Sequence, residues 1–275
     1  MCRILVIVGH SLSILPEIVE AFNKASECDP YLTELLNSRA CESQGDGWGY
    51  TVVGVLASGE EVVDYYRTAR PVFKDPHGLG RLKSFTEGLA LGVAIAHSRR
   101  AAVGSIKVRN THPIHYAWKE FEMWIAHNGV VDAEAIARDA EIPKVGDATD
   151  TYYLGEFIYR AVRDLKVGDI VKSVVRASKY TKTAMNTAIL FYTEGRVVLV
   201  VTSYLAPERL SNAKAVNYYK LYQLETENAL ALFSSSILKY YSTQGGRVSE
   251  VRLQSGVAVE LNLREPTVSV THFEI

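Results

Sequence analysis

Cys2 is the first residue of the sequence with an evident chemical use, because it directly follows Met1. If the methionine is removed, a thiol and a free α-amine belong to the same residue. Such an amine, with an ordinary pKa of about 7.7–8.0, is a general base suited to neutral pH, acting on the thiol directly or through one water. Alternatively, Cys2 packs as a small apolar side chain beside the apolar run Ile4–Val8.

Further segments of the chain carry residue types that enzymes use. They are GDGWGY at 45–50, AHSRRAAVG at 96–104, NTHP at 110–113, AHNG at 126–129 and GDATDT at 146–151. Each has an ordinary structural explanation. His97 could be a hydrogen-bonded core histidine, Asn128-Gly129 a turn, Asp150 a helix cap, and Arg99 and Arg100 a solvated pair. No single segment therefore assigns a function.

Composition and charge narrow the classes of function. The chain has 275 residues, of which 48% are hydrophobic and 22% charged, which is ordinary for a globular protein. A net charge of −1 gives no sign of a nucleic-acid or membrane surface, and no apolar run reaches the roughly 18 residues of a membrane span. Three cysteines without metal-type spacing, and no signal peptide, predict a cytoplasmic protein without a disulfide framework.

The elements that must position these segments are predicted from apolar patterns. Ile4–Val8 and Tyr50–Ala57 are predicted strands, and residues 14–39 are predicted to be helical. Asn128-Gly129 between apolar runs predicts a hairpin turn. A helix capped by Asp132 should run to about residue 140, and another from about 149 to about 165.

Beyond Met185 the sequence is rich in predicted strands. They are Thr187–Tyr192, Val197–Tyr204, Tyr218–Leu224, Ala231–Ser235, Arg247–Leu253, Val257–Leu261 and Thr267–Phe273. Strands early and late, with helices between them, favour an α+β fold with antiparallel sheets over a βαβ repeat. No G-x-G-x-x-G motif follows a strand, so a nucleotide-binding fold has no support.

Taken together and in order, the segments resemble the glutaminase domain of class II glutamine amidotransferases, which are N-terminal-nucleophile hydrolases. Cys2 stands at the family's nucleophile position, and the segments resemble its His-x-Arg, Asn-x-His-Pro, His-Asn-Gly and Thr-Asp-Ser/Thr motifs. GDGWGY resembles the stand-alone branch that includes the ergothioneine-pathway amidase and glutathione-degrading relatives. The motifs cover residues 1 to about 165, and the β-rich remainder fits the same domain. The resemblance implies a four-layer αββα fold and a single domain over residues 1–275.

The resemblance also implies roles for individual residues. Cys2 would attack a carboxamide and form a γ-glutamyl thioester, while the Asn128 amide and the Gly129 N–H stabilise the oxyanion. Arg99 offers a planar fork for the α-carboxylate of the substrate, and Asp150 an anion for its α-ammonium. The expected substrate is therefore the small molecule glutamine or a larger γ-glutamyl amide, and no cofactor is expected.

The remaining assignments leave alternatives open. Trp48 is expected to form a wall of the pocket and His112 to contribute to substrate binding. Zinc ligation by the histidines is disfavoured, because hydrogen bonds between strand-end histidines and loops explain them equally well. Arg100 and Val103 replace residues that synthase members carry, so synthase-specific contacts do not transfer.

Several functions remain compatible with the sequence. They are a stand-alone hydrolase, an ammonia-supplying subunit of a separate synthase, a non-catalytic protein that binds γ-glutamyl ligands, and a structural component of a larger complex. Homo-oligomerisation also stays open.

Overall fold

A computed structural model describes residues 2–10, 12, 15–242 and 245–275. These residues form strands β1 (Cys2–His10), β2 (Trp48–Leu56), β3 (Glu61–Thr68), β4 (Leu89–Arg99), β5 (Ile114–Tyr116), β6 (Glu122–Val131), β7 (Thr181–Thr193), β8 (Arg196–Ser203), β9 (Leu221–Glu225), β10 (Ala229–Ser234), β11 (Arg247–Glu250), β12 (Ser255–Asn262) and β13 (Thr267–Glu274). They also form helices α1 (Leu15–Glu27), α2 (Pro30–Leu35), α3 (Pro76–Glu87), α4 (Ala133–Asp139), α5 (Asp150–Ala161), α6 (Val167–Ala177), α7 (Ala213–Tyr219) and α8 (Ser235–Leu238). Single 3-10 turns lie at Val72–Lys74, Val108–Asn110, Ser178–Tyr180 and Pro207–Arg209.

The strands build two antiparallel sheets. The seven-stranded sheet has the order β11-β9-β10-β1-β4-β2-β3, and the six-stranded sheet has the order β13-β12-β8-β7-β6-β5. Strand β1 lies inside the first sheet between β10 and β4, so its first residues are fixed by neighbours on both sides. This position explains why Ile4–Val8 is an uninterrupted apolar run, since both of its faces are buried.

Three apolar layers show that the sheets are stacked between helices. One layer joins α1 and α3 to the seven-stranded sheet, for example through Phe22 and Leu82. A second lies between the sheets, and a third packs α4, α5 and α6 on the six-stranded sheet. The predicted four-layer αββα arrangement is confirmed.

Alternation along β1 sends its side chains into two different layers. Leu5 and Ile7 pack towards the helices, whereas Ile4, Val6 and Val8 pack between the sheets. Because side chains alternate along a strand, Cys2 shares the inter-sheet face with Ile4. The thiol therefore stands where the layer between the two sheets ends.

Several local predictions were wrong. The single helix predicted for residues 14–39 is two helices, α1 and α2, and residue 14 lies outside the described residues. The second helix starts anew because the Asp29 side chain caps it by accepting from Leu32 N, and Pro30 is its first residue. The expected strand from residue 218 begins later, since α7, capped by Asn212, extends to Tyr219.

The Asn128-Gly129 pair is also not a hairpin turn. Both residues lie within β6, which pairs with β7 through Asn128 opposite Asn186. The register shifts directly after Gly129, whose φ of +149° departs from ordinary strand geometry. Glycine at this position allows a β-bulge within a continuing strand. The Asn-Gly pair that predicts a turn from sequence therefore lies at a bulge in the sheet.

Cys28 and Cys41 form a disulfide, so the prediction that the chain lacks one was wrong. Their Cα atoms are 5.3 Å apart, although 13 positions separate them in sequence. The bond closes a loop that contains α2. Next to the bond, Asp29 and Glu42 pair as an isolated β-bridge, which also joins the two ends of this loop. Sequence spacing alone did not show that this loop returns to its starting point.

None of the described helices is long and apolar enough to cross a membrane.

Candidate active site

The candidate site lies where β1 begins, β4 ends and β6 passes from the opposite sheet. Cys2 is paired with Arg99 across β1 and β4. The backbone N–H of Cys2 donates to Asn128 Oδ1 at 3.0 Å, which joins the two sheets at this point. Five of the predicted site residues line one cleft: Cys2, Arg99, His112, Gly129 and Asp150. The sequence motifs therefore converge in space, with Asn128 directly behind the thiol.

The Cys2 thiol is favoured as a nucleophile by its charged surroundings. Its residue is only 6% exposed, and Sγ lies 4.0 Å from the carbonyl oxygen of Arg100. Burial raises the pKa of the thiol, but the positive charges of the chain's amino terminus and of His97 outweigh burial and lower it to about 6. Since the thiolate is the reactive form, Cys2 would be largely ionised at neutral pH. Cys2 is also the free cysteine of the chain.

Asn128 presents an unused hydrogen-bond donor beside the thiol. Its Oδ1 is occupied by the Cys2 N–H, whereas Nδ2 is buried and has no partner among the residues that the structure describes. Buried polar atoms are rarely left unpaired in folded proteins, and a catalytic role is one explanation for an exception. The amide is thus aligned by one atom and left free to donate with the other.

Gly129 is required by both space and backbone conformation. A Cβ at this position would lie 1.8 Å from the carbonyl oxygen of Ala184, far inside any real contact. The φ of +149° also disfavours every residue with a side chain. The close packing of β6 on the neighbouring chain segment therefore depends on this glycine, which lies in the cleft beside Asn128.

Arg99 lies in the cleft, but its guanidinium already contacts the loop that follows β4. Nη1 donates to the carbonyl oxygen of Ser105 at 3.1 Å, and Nη2 donates to that of Val103 at 2.8 Å. These bonds hold the loop over the end of β4 and fix the plane of the guanidinium. A carboxylate would meet a cation whose orientation the protein has already set.

Asp150 is the first residue of α5 and faces the cleft from the six-stranded sheet's side. Oδ2 accepts from Val131 N at 2.9 Å, and Oδ1 accepts from Thr151 N at 3.0 Å. A carboxylate is stabilised at a helix N-terminus by the unpaired N–H groups and the helix dipole. Thr149, and not Asp150, is the N-cap of α5, because its side chain accepts from Tyr152 N. Asp150 supplies a negative charge in the cleft that also contains Arg99.

His112 is buried in the cleft wall, and its Nε2 has no partner within the described part of the chain. Burial, followed by the charges of His97, His127 and Arg99, places the pKa of His112 well below its ordinary value. The ring is therefore neutral at physiological pH and can offer an uncharged nitrogen to a bound molecule.

Trp48 does not form a wall of this cleft. Its indole is fully buried under α3, where Nε1 donates to Asp75 Oδ2 at 2.9 Å. The ring packs against Tyr50 and Tyr66. Trp48 is opposite Ser98 in the sheet register, so it shares the helix-facing side of the sheet and not the inter-sheet side that bears Cys2. The expectation from the DGWG segment is corrected accordingly.

Two acidic residues that sequence reasoning did not assign secure the segment next to Arg99. Glu42 forms an ion pair with Arg100. Asp46 accepts from Ala101 N through Oδ2 at 2.8 Å, and its own N–H donates to the carbonyl oxygen of Arg99 at 2.8 Å. Asp46 belongs to the quoted segment GDGWGY, so the segment does reach the site, through its aspartate rather than its tryptophan.

No group of three or more His, Cys, Asp or Glu side chains is placed to hold a metal ion within the described ranges. The three histidines near the cleft instead contact one another and the backbone.

The family of the chain follows from a match over most of its length. The family model described as "Glutamine amidotransferases class-II" matches residues 22–225. The chain therefore belongs to the class II glutamine amidotransferases, as its motifs indicated. A search of curated protein sequences gives no match.

Solved structures agree with the fold. The chain is similar to the allosteric regulatory enzyme of purine biosynthesis, with a TM-score of 0.59 and 17% identity. It is also similar to glutamine phosphoribosylpyrophosphate amidotransferase from B. subtilis, with a TM-score of 0.58 and 15% identity. All of this chain is covered in both comparisons, but only 49% and 50% of those chains. It thus spans about half of their length, and at these identities the likeness concerns the fold.

Proposed function

We propose that the protein cleaves the side-chain amide of glutamine or of a γ-glutamyl compound by attack of the Cys2 thiolate. The observation that carries this proposal is the contact between the Cys2 N–H and Asn128 Oδ1. Asn128 Nδ2, a buried amide donor without a partner among the described residues, therefore lies beside a thiol whose pKa is lowered to about 6. A nucleophile and an oxyanion donor are thereby held by one interaction.

The reaction would proceed through two tetrahedral intermediates. The Cys2 sulfur bonds to the amide carbon, and the resulting oxyanion receives hydrogen bonds from Asn128 Nδ2 and the Gly129 N–H. The carbon–nitrogen bond then breaks and the amine leaves with a proton, giving a γ-glutamyl thioester. Water attacks this thioester, the carbon–sulfur bond breaks, and the γ-carboxylate is released with the thiol regenerated.

Removal of Met1 would provide a base for these steps. Once Cys2 is the first residue, its nitrogen becomes a free α-amine, which Asn128 Oδ1 would continue to hold. An amine with a pKa near the working pH can accept the thiol proton, directly or through a water, and return it to the leaving group. The intact mass of the natively produced protein tests this step, since retained methionine would contradict it.

The two charged side chains of the cleft support a substrate with a free amino-acid head. Arg99 and Asp150 present opposite charges within one cleft, which suits an α-carboxylate and an α-ammonium on the same carbon. Glutamine and γ-glutamyl amides share this head, so the contacts do not separate them. We propose the whole chain as a single domain of this type.

A screen of γ-glutamyl amides with the Met1-processed protein tests the function. Release of glutamate and amine should be seen with glutamine or with a larger γ-glutamyl amide, and Cys2→Ala should abolish it. Arg252→Ala is a suitable control, since this exposed arginine pairs with Glu274 at the far end of the chain. Hydrolysis that persists in Cys2→Ala would refute the proposal. Binding without turnover would favour a non-catalytic γ-glutamyl-binding protein.

An ammonia-supplying role is the second candidate, because the fold is shared with a phosphoribosylpyrophosphate amidotransferase that has additional chain beyond the matching half. This role predicts that a separate synthase stimulates glutamine hydrolysis.

The cytoplasmic location remains a prediction. The Cys28–Cys41 disulfide counts against it, since cytosolic thiols are usually kept reduced. Mass analysis of the alkylated protein from rapidly quenched cells tests the state of this bond.

A further inference from the structure

Three buried histidines meet directly behind the nucleophile. His97 lies on β4, His112 precedes β5, and His127 lies on β6. All three are at most 4% exposed. The proposed reaction uses none of these rings as a base, so it does not explain why they lie together.

The partners of His97 determine which of its nitrogens carries hydrogen. Nε2 lies 3.3 Å from the carbonyl oxygen of His127 and 3.1 Å from His112 Nδ1. A carbonyl oxygen can only accept, so Nε2 of His97 must be the donor. A neutral imidazole has one N–H, and therefore Nδ1 of neutral His97 bears a lone pair.

His112 independently supports this assignment. Its Nδ1 receives the backbone N–H of His127 at 3.4 Å, and a backbone N–H can only donate. Nδ1 of His112 is thus an acceptor, which fits the N–H of His97 pointing at the same atom. Burial and neighbouring positive charge hold the pKa of His112 well below its ordinary value, so the ring stays neutral and remains an acceptor.

The lone pair on His97 Nδ1 is left without an ordinary hydrogen bond. No hydrogen bond of ordinary geometry reaches this buried atom within the described residues, and the hydrogen-bond interaction of the His97 side chain is with the Cys2 thiol. An unpaired buried acceptor costs about 1–3 kcal/mol, and a catalytic role is one explanation for such an atom. The fixed tautomer makes this a proton acceptor held ready inside the protein.

Sheet register identifies the proton donor that Nδ1 can serve. Cys2 is opposite Arg99 and Ile4 is opposite His97, so Cys2 and His97 are diagonal neighbours across β1 and β4. Side chains at diagonal positions on one face are within reach of long side chains such as histidine. The His97 ring also acts electrostatically on the thiol.

We infer that His97 Nδ1 accepts the proton of the Cys2 thiol and forms a thiolate–imidazolium pair, as a base additional to the α-amine. The S–H bond breaks with its electron pair left on sulfur, and an N–H bond forms on Nδ1. The imidazolium is held by its Nε2–H on the carbonyl oxygen of His127. Delivery of that proton to a leaving amine rests on the proposed function, whereas ion-pair formation does not.

The charges around His97 set the conditions for this transfer. Arg99 follows on the same strand, and the positive charge of the amino terminus acts on the Cys2 thiol; both oppose a further positive charge. The His112 and His127 rings are facing groups whose pKa values are lowered, chiefly by burial. Asp150 on α5 supplies the nearby negative charge and acts on His127. The thiolate itself is therefore the main counter-ion of a protonated His97.

The rate of Cys2 alkylation against pH tests the inference without any turnover. Cys28 and Cys41 are joined, so iodoacetamide should add once, and intact mass reports the adduct. His97→Gln keeps an N–H donor at the position of Nε2 and removes the Nδ1 lone pair. We expect its inflection at least about one pH unit above that of the native protein, with about fivefold slower alkylation at pH 6 from the smaller thiolate fraction.

His115→Gln is the matched control, because His115 is paired with Glu122 and stacked on Trp124 outside the cleft. Its alkylation profile should match that of the native protein. The inference would be overturned if folded His97→Gln shows the same alkylation inflection pH as the native protein and His115→Gln. Absence of hydrolysis in the native protein, with the expected alkylation shift intact, would instead refute only the proposed function.

A second measurement remains decisive if His97→Gln does not fold. Nitrogen-15 NMR of the native protein distinguishes the two neutral tautomers of each histidine. We expect His97 to carry its hydrogen on Nε2, and its protonation to shift to lower pH when Cys2 is blocked by S-methylation. Hydrogen on Nδ1 in the neutral ring, or a titration that methylation leaves unchanged, would overturn the inference.

Discussion

Replacing Asn128 with alanine removes a buried amide donor beside Cys2 that has no partner among the described residues. In the native protein Oδ1 of this residue receives the Cys2 N–H at 3.0 Å, while Nδ2 has no partner in the described part of the chain. The substitution therefore removes no donated bond from the resting protein. Its effect on the rate would come mainly from the transition state, where an oxyanion takes the place of the missing partner.

The magnitude follows from what one aligned oxyanion donor contributes. Such a donor is worth about 2.7–4 kcal/mol, which corresponds to about 10²–10³ in kcat. Because the ground-state amide oxygen is held less tightly than the oxyanion, KM should change by less than about tenfold. Loss of the Oδ1 contact adds a smaller effect on the position of the Cys2 nitrogen.

Steady-state hydrolysis of the best γ-glutamyl substrate measures the effect. Asn23→Ala is a matched control, because Asn23 also has an unpartnered buried atom, Oδ1, but lies on α1 in the outer helical layer. Alkylation of Cys2 should remain fast in Asn128→Ala, which shows that the nucleophile survives. A kcat within about threefold of the native value in Asn128→Ala would refute the assignment of Nδ2 as an oxyanion donor, since it falls far below the expected loss.

The remaining predictions concern the glycine, the charge of the cleft, the thiol and the disulfide. Gly129→Ala should lose at least about 2 kcal/mol of unfolding free energy in urea titration, since φ is +149° and its Cβ would strike a carbonyl oxygen 1.8 Å away; native-like stability would contradict this. Asp150→Asn should raise KM about 10-fold or more by weakening a charge-assisted contact, with a smaller change in kcat; an unchanged KM would remove Asp150 from substrate binding. Because the thiolate of Cys2 reacts and its pKa is lowered to about 6, kcat/KM should fall as pH drops below that value, and a rise on acidification would contradict the assignment. Cys28→Ser should lose about 3 kcal/mol of unfolding free energy, and reductant should bring the native protein to the same midpoint; equal stability of oxidised native protein and variant would show that the bond is absent or without effect.

Sequence could predict the convergence of the site because the motifs lie at strand ends of a recognisable fold. The apolar run after Cys2 indicated a buried strand, and β1 is buried on both faces. The positions of Arg99 and Asp150 followed from motif order, and both line the cleft. What the motifs could not give is register, and the pairing of Cys2 with Arg99 depends on it.

The errors arose where one residue type serves two structural purposes. Tryptophan in a glycine-rich segment suits a pocket wall or a core, and only the alternation along β2 places Trp48 beneath α3. Asn-Gly suits a turn or a bulge, and the long-range pairing of β6 with β7 decides for the bulge. The disulfide required Cys28 and Cys41 to meet after an intervening helix, which depends on tertiary contacts that local sequence does not encode.

If His97 is a second base for the thiol, removal of Met1 is no longer the only event on which the reactivity of Cys2 depends. If Met1 stays, the nitrogen that Asn128 holds belongs to a peptide bond and has no basic lone pair, so the α-amine of Cys2 cannot act. A thiol that depends on that amine to take its proton would then lack a base, whereas one with access to His97 Nδ1 would still have one. Removal of Met1 should therefore govern turnover more strongly than thiol reactivity, since the amine nearest the scissile bond is needed to manage the leaving group. A protein with retained Met1 that alkylates readily at Cys2 but turns over slowly would separate the two bases, and equal losses of both properties would show that the amine acts alone.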